Sequence, residues 1–294
     1  MGKVSFFISL LFLMLSQSLF NCLYASEIKE AEALLIAQKK GAQRIIALSP
    51  HSVELLYAIG AGDRIIGTLE YADYPEAALD IPRIGNFNGI QIEKVVELQP
   101  DLIIAWKTGN KSSDIEKLKS LGFKIYHSHP QNISEISKEL RTLGKLTGLI
   151  DKAEIAAQKV SAQYQSIKNR YNDKKSVSVF YQLWHDPIRT IGPNNWTQSL
   201  IDDCNGRNIF DDAMSQYPVV SLESVLVKNP QVIVIPHHSG RTDDKKKLWQ
   251  KWPDIKAVNN HNINIINGDL LHRFSPRAID GLSILCTAID RARE

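Results

Sequence analysis

The sequence lacks the motifs that carry most enzymatic chemistry. It contains no G-x-S-x-G nucleophile elbow, no H-E-x-x-H helix, no G-x-x-x-x-G-K-[ST] phosphate loop and no G-x-G-x-x-G turn. The close histidine pairs, His127/His129 and His237/His238, each follow a predicted strand, but no nearby carboxylate completes a metal-ligand set. We therefore expect no catalytic residue and no bound metal. An extracytoplasmic metal-dependent enzyme that uses these four histidines is the alternative from another class.

An excess of charge of one sign is also lacking. The chain has 35 Lys and Arg against 32 Asp and Glu, for a net charge of +3, and no basic stripe stands out. This balance argues against a nucleic-acid partner. The 44% of apolar and 23% of charged residues are ordinary globular proportions, and 294 residues suffice for two domains with a sizeable core.

Long apolar runs are confined to the N-terminus. Lys3 precedes a largely apolar stretch at residues 4–20, and the small residue Ala25 follows it. This order is typical of a secretory signal peptide, so we expect residues 1–25 to be cleaved and the mature protein to be periplasmic. An uncleaved membrane anchor is the alternative. Lipidation of Cys22 is disfavoured because the bulky Phe20 lies close before it.

Cysteine is scarce, with three residues in the whole chain. Removal of the signal peptide takes Cys22 and leaves Cys204 and Cys286. An even pair in an oxidising compartment favours a disulfide, and two buried free thiols are the alternative.

Short apolar runs alternate with segments of helical periodicity along the chain. Strands are predicted at 44–48, 65–68, 102–105, 124–126, 177–181, 232–235 and 263–266, and helices at 27–40, 52–59, 93–98, 115–121, 198–204 and 276–292. This alternation is typical of the α/β class, in which helices cover both faces of a parallel sheet.

One segment in mid-chain breaks the alternation. From Asp151, the expected N-cap, apolar residues at helical spacing predict a single helix of about 20 residues. The predicted organisation is therefore a signal peptide at 1–25, an N-terminal α/β lobe at 26–150, a connecting long helix at 151–173 and a C-terminal α/β lobe at 174–294.

The two predicted lobes contain similar stretches. Glu93–Ile104 aligns without a gap with Glu223–Val234, and each copy consists of an acidic residue, a helix, a proline and a buried strand. We interpret this as two related lobes, with convergent supersecondary structure as the alternative. Loops at the carboxyl ends of two facing sheets would enclose a cleft, which is a favoured place for a ligand.

Aromatic residues stand at strand and loop ends in both predicted lobes. They are Tyr71, Tyr74, Phe87, Trp106, Trp184 and Tyr217. Rings at such positions are not needed for the sheet core, and they can line a cleft that takes a large, flat, partly apolar ligand.

Several stretches resemble the helical-backbone class of periplasmic substrate-binding proteins, which serve importers of cobalamin, haem and ferric siderophores. The resemblance covers residues 44–294. It rests on Leu48-Ser49-Pro50 with Glu54-Leu55, Tyr71-x-Asp73-Tyr74-Pro75, Pro100–Trp106, Cys204-x-Gly206 with Asn208-Ile209-Phe210, and Arg273-x-Ser275-Pro276-Arg277. It implies two Rossmann-like α/β lobes joined by one long α-helix, with the ligand cleft between the lobes.

Within this class the cobalamin-binding members are most similar. That similarity implies a monomeric, non-enzymatic protein that captures cobalamin or a related corrinoid and delivers it to the permease dimer of an ATP-driven (ABC) importer. Cobalamin is then the transported ligand and not a cofactor. The implied ligand-binding residues are Tyr71, Phe87, Trp106, Leu183, Trp184, Tyr217, Asp269 and Arg273. Phe87 and Tyr217 replace tryptophans of those members, and Leu183 replaces a phenylalanine whose ring Trp184 can supply.

The resemblance also assigns roles to charged residues and cysteines. Asp269 and Arg273 match a pair that holds the polar edge of the ligand, as donor and acceptor groups for propionamides; a local salt bridge is the alternative. Glu93 and Glu223 match acids that dock on permease arginines; solvated helix-start carboxylates are the alternative. Cys204 and Cys286 match a disulfide of the C-terminal lobe.

Haem and ferric siderophores are the alternative ligands. Phe87 lies near a position at which haem binders of the class use an iron-binding tyrosine, so haem would need Tyr71 or His185 as its iron ligand. A siderophore would need more basic residues, for which Arg273, Arg83 and Arg189 are the candidates. A near-neutral ligand such as cobalamin therefore fits the sequence better.

Overall fold

The computed structural model describes residues 41–238 and 243–294, with the side chains of residues 243–245 left out. The predicted signal peptide, Cys22 and the helix expected at 27–40 lie outside the described residues. The strands are β1 (Ile45–Ala47), β2 (Ile65–Thr68), β3 (Gly85–Asn86), β4 (Gly89–Ile90), β5 (Leu102–Trp106), β6 (Ile125–Ser128), β7 (Val177–Tyr181), β8 (Gly206–Asn208), β9 (Val232–His237) and β10 (Ile263–Asn267).

Helices connect these strands. They are α1 (Pro50–Ala58), α2 (Ile92–Leu98), α3 (Ser112–Ser120), α4 (Ile133–Thr147), α5 (Ile150–Tyr171), α6 (Trp196–Asp203), α7 (Leu222–Lys228), α8 (Asp243–Gln250), α9 (Lys256–Asn259), α10 (Gly268–His272) and α11 (Ala278–Asp290). Single 3₁₀ turns lie at Gly62–Arg64, Glu76–Asp80 and Arg291–Arg293.

Two parallel sheets form the centres of two lobes. The first has the strand order β2-β1-β5-β6 and the second β10-β9-β7-β8. Their central strands are almost wholly apolar and buried, as expected of parallel strands covered by helices on both faces. The predicted α/β class is confirmed.

The long connecting helix is α5, with 22 residues and a length of about 33 Å. It packs against α4 of the N-terminal lobe and against α11 and α6 of the C-terminal lobe, so it contacts both lobes. The expectation that Asp151 is its N-cap is wrong. The chain reverses at Gly148, with φ of +71°, so the helix begins already at Ile150 and Asp151 lies in the first turn. A carboxylate there still interacts favourably with the helix dipole.

The repeat found in the sequence is also present in the structure. Helices α2 and α7 have seven residues each and end at left-handed residues, Gln99 with φ of +46° and Asn229 with φ of +44°. The strands that follow, β5 and β9, pair with the first strand of their own sheets, β1 and β7. The two lobes thus share one strand topology.

Other elements were not predicted. They are the hairpin of β3 and β4, the short strand β8 and helices α8, α9 and α10. Segments as short as these show little periodicity in the sequence. The predicted domain boundaries at residues 150 and 173 stay a prediction.

Cys204, at the end of α6, and Cys286, on α11, form a disulfide with a Cα–Cα distance of 4.8 Å. This confirms the predicted pairing and excludes the alternative of two free thiols. Across residues 41–238 and 243–294, no helix is both long and apolar enough to cross a membrane.

Candidate functional site

Four rings meet where the two lobes face each other. His51 and Trp106 come from the N-terminal lobe, and Trp196 and Phe274 from the C-terminal lobe. The Phe274 ring centroid lies 5.2 Å from that of His51, 5.8 Å from Trp106 and 4.7 Å from Trp196, all in edge-to-face arrangements. This aromatic seam joins the carboxyl end of the first sheet to the loop after α10.

The loop that follows β5 holds Trp106 in place. The Asn110 amide accepts a hydrogen bond from the Trp106 backbone N–H at 2.6 Å and donates to the Leu48 carbonyl at 2.8 Å. Any Cβ on Gly109 would lie 1.8 Å from the indole, so only glycine lets the ring fold over this loop. The indole N–H is buried and finds no acceptor among the described residues.

A cavity of about 720 Å³ lies between the lobes beside Trp106. Tyr217, Trp196 and Phe274 line its other side. Its remaining polar lining is mostly uncharged and consists of Thr108, His129, Gln131, Asn132, Asn194, Asn195, Gln198, Ser199, Asp202 and Gln216. The cavity therefore combines aromatic rings with amide donors and acceptors.

Hydrogen bonds and ion pairs join a second group of predicted residues, Tyr71, Asp269 and Arg273. Arg273 donates to the Tyr71 carbonyl at 3.2 Å and to the Asp73 carboxylate at 2.6 Å, and it pairs with Asp269 at 3.2 Å. Tyr71 has a left-handed backbone with φ of +67°, and 68% of its surface is exposed. The salt bridge of Asp269 and Arg273, which is the alternative to their contact with a ligand, is thus present within a network that crosses between the lobes. Their role in ligand binding stays a prediction.

Asp269 lies in the first turn of α10. The Asn267 side chain caps this helix by accepting from the Asp269 backbone N–H at 2.8 Å. The hydrogen bond between Asp269 and His238, at 3.1 Å, lowers the pKa of the Asp269 carboxyl, and the Arg273 charge adds to this shift although partial burial opposes it. The carboxylate is ionised at neutral pH.

The remaining predicted rings differ in exposure. Phe87 is 70% exposed at the tip of the β3–β4 hairpin, which contacts the Tyr71 loop through the Glu70 N–H and the Gly85 carbonyl. Trp184 is 64% exposed after β7, whereas Leu183 is half-buried against the core. Trp184 is therefore better placed than Leu183 to meet a ligand.

Glu93 and Glu223 are both exposed in the first turns of α2 and α7. Each is accompanied one turn later by an exposed valine, Val96 or Val227. The pKa of Glu223 is lowered by hydrogen bonds from its own backbone N–H and from Ser221. Both lobes thus present an acid beside a small apolar patch.

The alternative candidates are arranged differently. Among the described side chains, at residues 41–238 and 246–294, no group of three or more His, Cys, Asp or Glu is arranged to hold a metal. Arg83 donates to the carbonyls of Ala72, Ala78 and Ile81, and Arg189 donates to the Tyr217 carbonyl. These two arginines therefore brace loops by binding backbone carbonyls.

The residue at the centre of the network was not predicted from the sequence. Glu54, on α1, is 4% exposed and accepts hydrogen bonds from Arg273, Ser275 and Arg277. The sequence signal that could have found it is an acidic residue within an otherwise apolar helix, in the Glu54-Leu55 stretch. His51 was missed too; burial lowers its pKa to about 3, and His129 contributes.

Comparisons with known proteins agree with this geometry. Residues 45–270 match the model of the periplasmic binding protein family. The vitamin B12-binding protein of Vibrio campbellii is 35% identical over 254 residues, which are 86% of this chain and 91% of the relative. That of Vibrio cholerae serotype O1 is 37% identical over 260 residues, with coverages of 88% and 94%.

The fold is also similar to solved structures of periplasmic binding proteins. The periplasmic vitamin B12 binding protein BtuF of Vibrio cholerae superposes with a TM-score of 0.79 at 37% identity, covering 86% of this chain and 99% of that chain. The periplasmic heme-binding protein RhuT of Roseiflexus sp. RS-1 superposes with a TM-score of 0.74 at 20% identity, covering 86% and 100%. At that identity the second similarity concerns the fold alone.

Proposed function

Since the chain belongs to the periplasmic binding protein family, we propose that it captures cobalamin or a related corrinoid between its lobes and delivers it to an ABC importer. The observation that carries the proposal is the cavity lined by Trp106, Tyr217 and neutral amides from both lobes. Cobalamin is the transported ligand and not a cofactor, and the protein performs no catalytic step.

The ring positions suit a large flat ligand. Tyr71 and Phe87 project from the N-terminal lobe with 68% and 70% exposure, and Trp184 and Tyr217 from the C-terminal lobe with 64% and 45%. Each of these rings leaves a large apolar surface in contact with water. A ligand that covers the rings removes this surface from water, which favours binding. Trp106 lines the cavity as well, and it can cover part of an apolar ligand surface there.

The polar groups suit a neutral, amide-bearing ligand. The cavity holds few formal charges. Of the three arginines that could meet an anionic siderophore, Arg83 and Arg189 bind backbone carbonyls and Arg273 is paired with carboxylates. Amide side chains both donate and accept, as do the propionamides at the edge of a corrin. Asp269 and Arg273 are proposed to meet that edge.

We propose that Glu93 and Glu223 dock on the permease dimer. Their equivalent places in the two lobes fit a partner with one basic patch on each subunit. A monomer satisfies this arrangement, because one chain already presents both acids. The mature chain, residues 26–294, is proposed to work in the periplasm after cleavage of residues 1–25.

Calorimetric titration of residues 26–294 with cyanocobalamin tests the ligand. We expect saturable one-to-one binding that Trp106→Ala weakens at least about tenfold, since truncation of a buried aromatic anchor typically costs more than about 1.4 kcal/mol. Trp252→Ala is the matched control, because this tryptophan is 38% exposed and does not line the cavity.

Haemin is titrated in parallel. Saturable binding of haemin without binding of cyanocobalamin would overturn the choice of ligand and direct attention to Tyr71 and His185. Equal affinity of the Trp106→Ala variant and the parent for cyanocobalamin would show that the ligand binds elsewhere.

A further inference from the structure

The loop between α10 and α11 ties the C-terminal lobe to the N-terminal lobe. Within five consecutive residues, 273–277, it places two arginines and a serine against one buried carboxylate, that of Glu54 on α1. Glu54 lies between Val53 and Leu55, both of them fully buried. A charge in such surroundings persists only when it is paired and fully hydrogen-bonded.

Glu54 is hydrogen-bonded through both of its oxygens. Oε1 accepts from Arg273 Nη1 at 3.0 Å and from Arg277 Nη2 at 2.5 Å. Oε2 accepts from Arg277 Nε at 2.9 Å and from the Ser275 hydroxyl. The Arg277 contact is a two-point fork, which fixes direction as well as distance. All four donors belong to the opposite lobe.

The same contacts reach the ligand side of the cleft. The two terminal nitrogens of Arg273 are shared among Glu54, Asp73, Asp269 and the Tyr71 carbonyl. Arg277 lies over the Tyr74 ring, 3.7 Å from its centroid. The 71–74 loop, with its left-handed Tyr71, is therefore contacted by two arginines that also bind Glu54.

We propose that Glu54 is a positioning residue for ligand binding. It fixes Arg273 and Arg277 against the N-terminal lobe, and through them it aims the exposed Tyr71 ring and sets the separation of the lobes before the ligand arrives. Glu54 itself contacts no ligand. The inference rests on the proposed function for its consequence on affinity, whereas the ordering of the loops is independent of any ligand.

The test compares Glu54→Gln with Glu154→Gln in the full mature chain. Glutamine preserves size and removes the charge that pairs with the buried Arg273 and the partly buried Arg277. Glu154 forms a similar two-point pair with Arg141, at 2.7 Å and 3.0 Å, but on exposed helix surfaces, where such pairs contribute little. Amide hydrogen exchange of the ligand-free protein and stopped-flow binding of cyanocobalamin are measured on both variants.

For Glu54→Gln we expect amide exchange to accelerate about tenfold at 71–74 and 273–277, with other segments unchanged. Cyanocobalamin affinity should fall at least about tenfold, mainly through faster dissociation. Glu154→Gln should change both quantities less than about twofold. If Glu54→Gln does not fold, Arg277→Lys replaces it, since lysine keeps the charge and loses the fork.

Other outcomes separate the two proposals. In one outcome the parent chain fails to bind cyanocobalamin while Glu54→Gln still accelerates amide exchange at the two loops. That result would refute the proposed function and leave the loop-ordering role of Glu54 standing. Three results for Glu54→Gln would each overturn the positioning role. Amide exchange could be unchanged at both loops, it could accelerate evenly along the chain, or a variant that still binds could keep the parent's affinity.

Discussion

At the scale of single residues, the site depends on polar groups that are buried next to the cleft. His51 is 3% exposed, contacts the Trp106 and Phe274 rings and lies 3.2 Å from the Ser128 hydroxyl. Burial lowers its pKa to about 3, so it stays neutral in the folded protein over most of the acidic range. In the unfolded chain, an ordinary histidine takes up a proton near pH 6.5.

This difference makes stability depend on pH. Between about pH 6.5 and pH 3 the unfolded chain binds one more proton at this position than the folded protein. The free energy of unfolding should therefore fall as the pH falls, by up to about 1.4 kcal/mol per pH unit from His51. Urea denaturation of His51→Gln at pH 6 and pH 4.5 should show a smaller loss than the parent.

His127→Gln is the control for this comparison, because His127 is exposed on β6. It should lose as much stability on acidification as the parent. A His51→Gln variant with the full pH dependence of the parent would contradict the assignment to His51.

At the scale of elements, the lobes are joined by helices that approach closely. Gly144 of α4 faces α5, and a Cβ at this position would lie 2.3 Å from the Ala153 Cβ. The chain turns between the two helices at Gly148, whose left-handed backbone ends α4. The tight turn and the small pair Gly144/Ala153 together fix how the long helix leaves the N-terminal lobe.

Gly144→Ala should destabilise the protein by roughly 1–3 kcal/mol, because the added methyl forces α4 and α5 apart. Helix propensity alone would act in the opposite direction by up to about 1 kcal/mol. Urea denaturation shows directly whether the free energy of unfolding falls or rises. The neighbouring exposed residue provides the control: Lys145→Ala should change the free energy of unfolding by less than about 0.5 kcal/mol. A stabilised Gly144→Ala variant would disprove the close contact.

At the scale of the whole molecule, two lobes of one topology present equivalent acids. Glu93 and Glu223 begin matching helices, each with an exposed valine one turn away. The lobes are braced against each other by α5, by the aromatic seam and by the Glu54 network. From this bracing we expect the lobes to move little when a ligand binds.

Charge reversal tests the docking role. In membrane vesicles that carry the importer, Glu93→Arg combined with Glu223→Arg should lower cobalamin uptake at least about tenfold, because repulsion replaces steering at both permease subunits. Affinity for cyanocobalamin should stay within about twofold. Asp173→Arg, an exposed reversal after α5, should leave uptake unchanged. Normal uptake by the double variant would exclude docking through these acids.

Much of the architecture followed from the sequence, because it is encoded locally. Buried strands appear as apolar runs such as 102–105, and the long helix appears as a stripe that starts near Asp151. The repeat at Glu93 and Glu223 follows from residue order alone. These features depend on neighbours within a few positions, so a linear pattern suffices to predict them.

The arrangement of the site was decided by the tertiary structure. Glu54 and Arg277 are separated by more than 200 positions and meet only when the lobes pack. Loops without periodicity decide that Trp184 is exposed while Leu183 packs against the core. They also decide that Arg83 and Arg189 bind backbone carbonyls. The sequence by itself determined the longer strands and helices and their order, because apolar runs and helical stripes are set by local spacing. Only the folded chain decided which polar groups are buried together, because pairing buried charges requires contacts between both lobes.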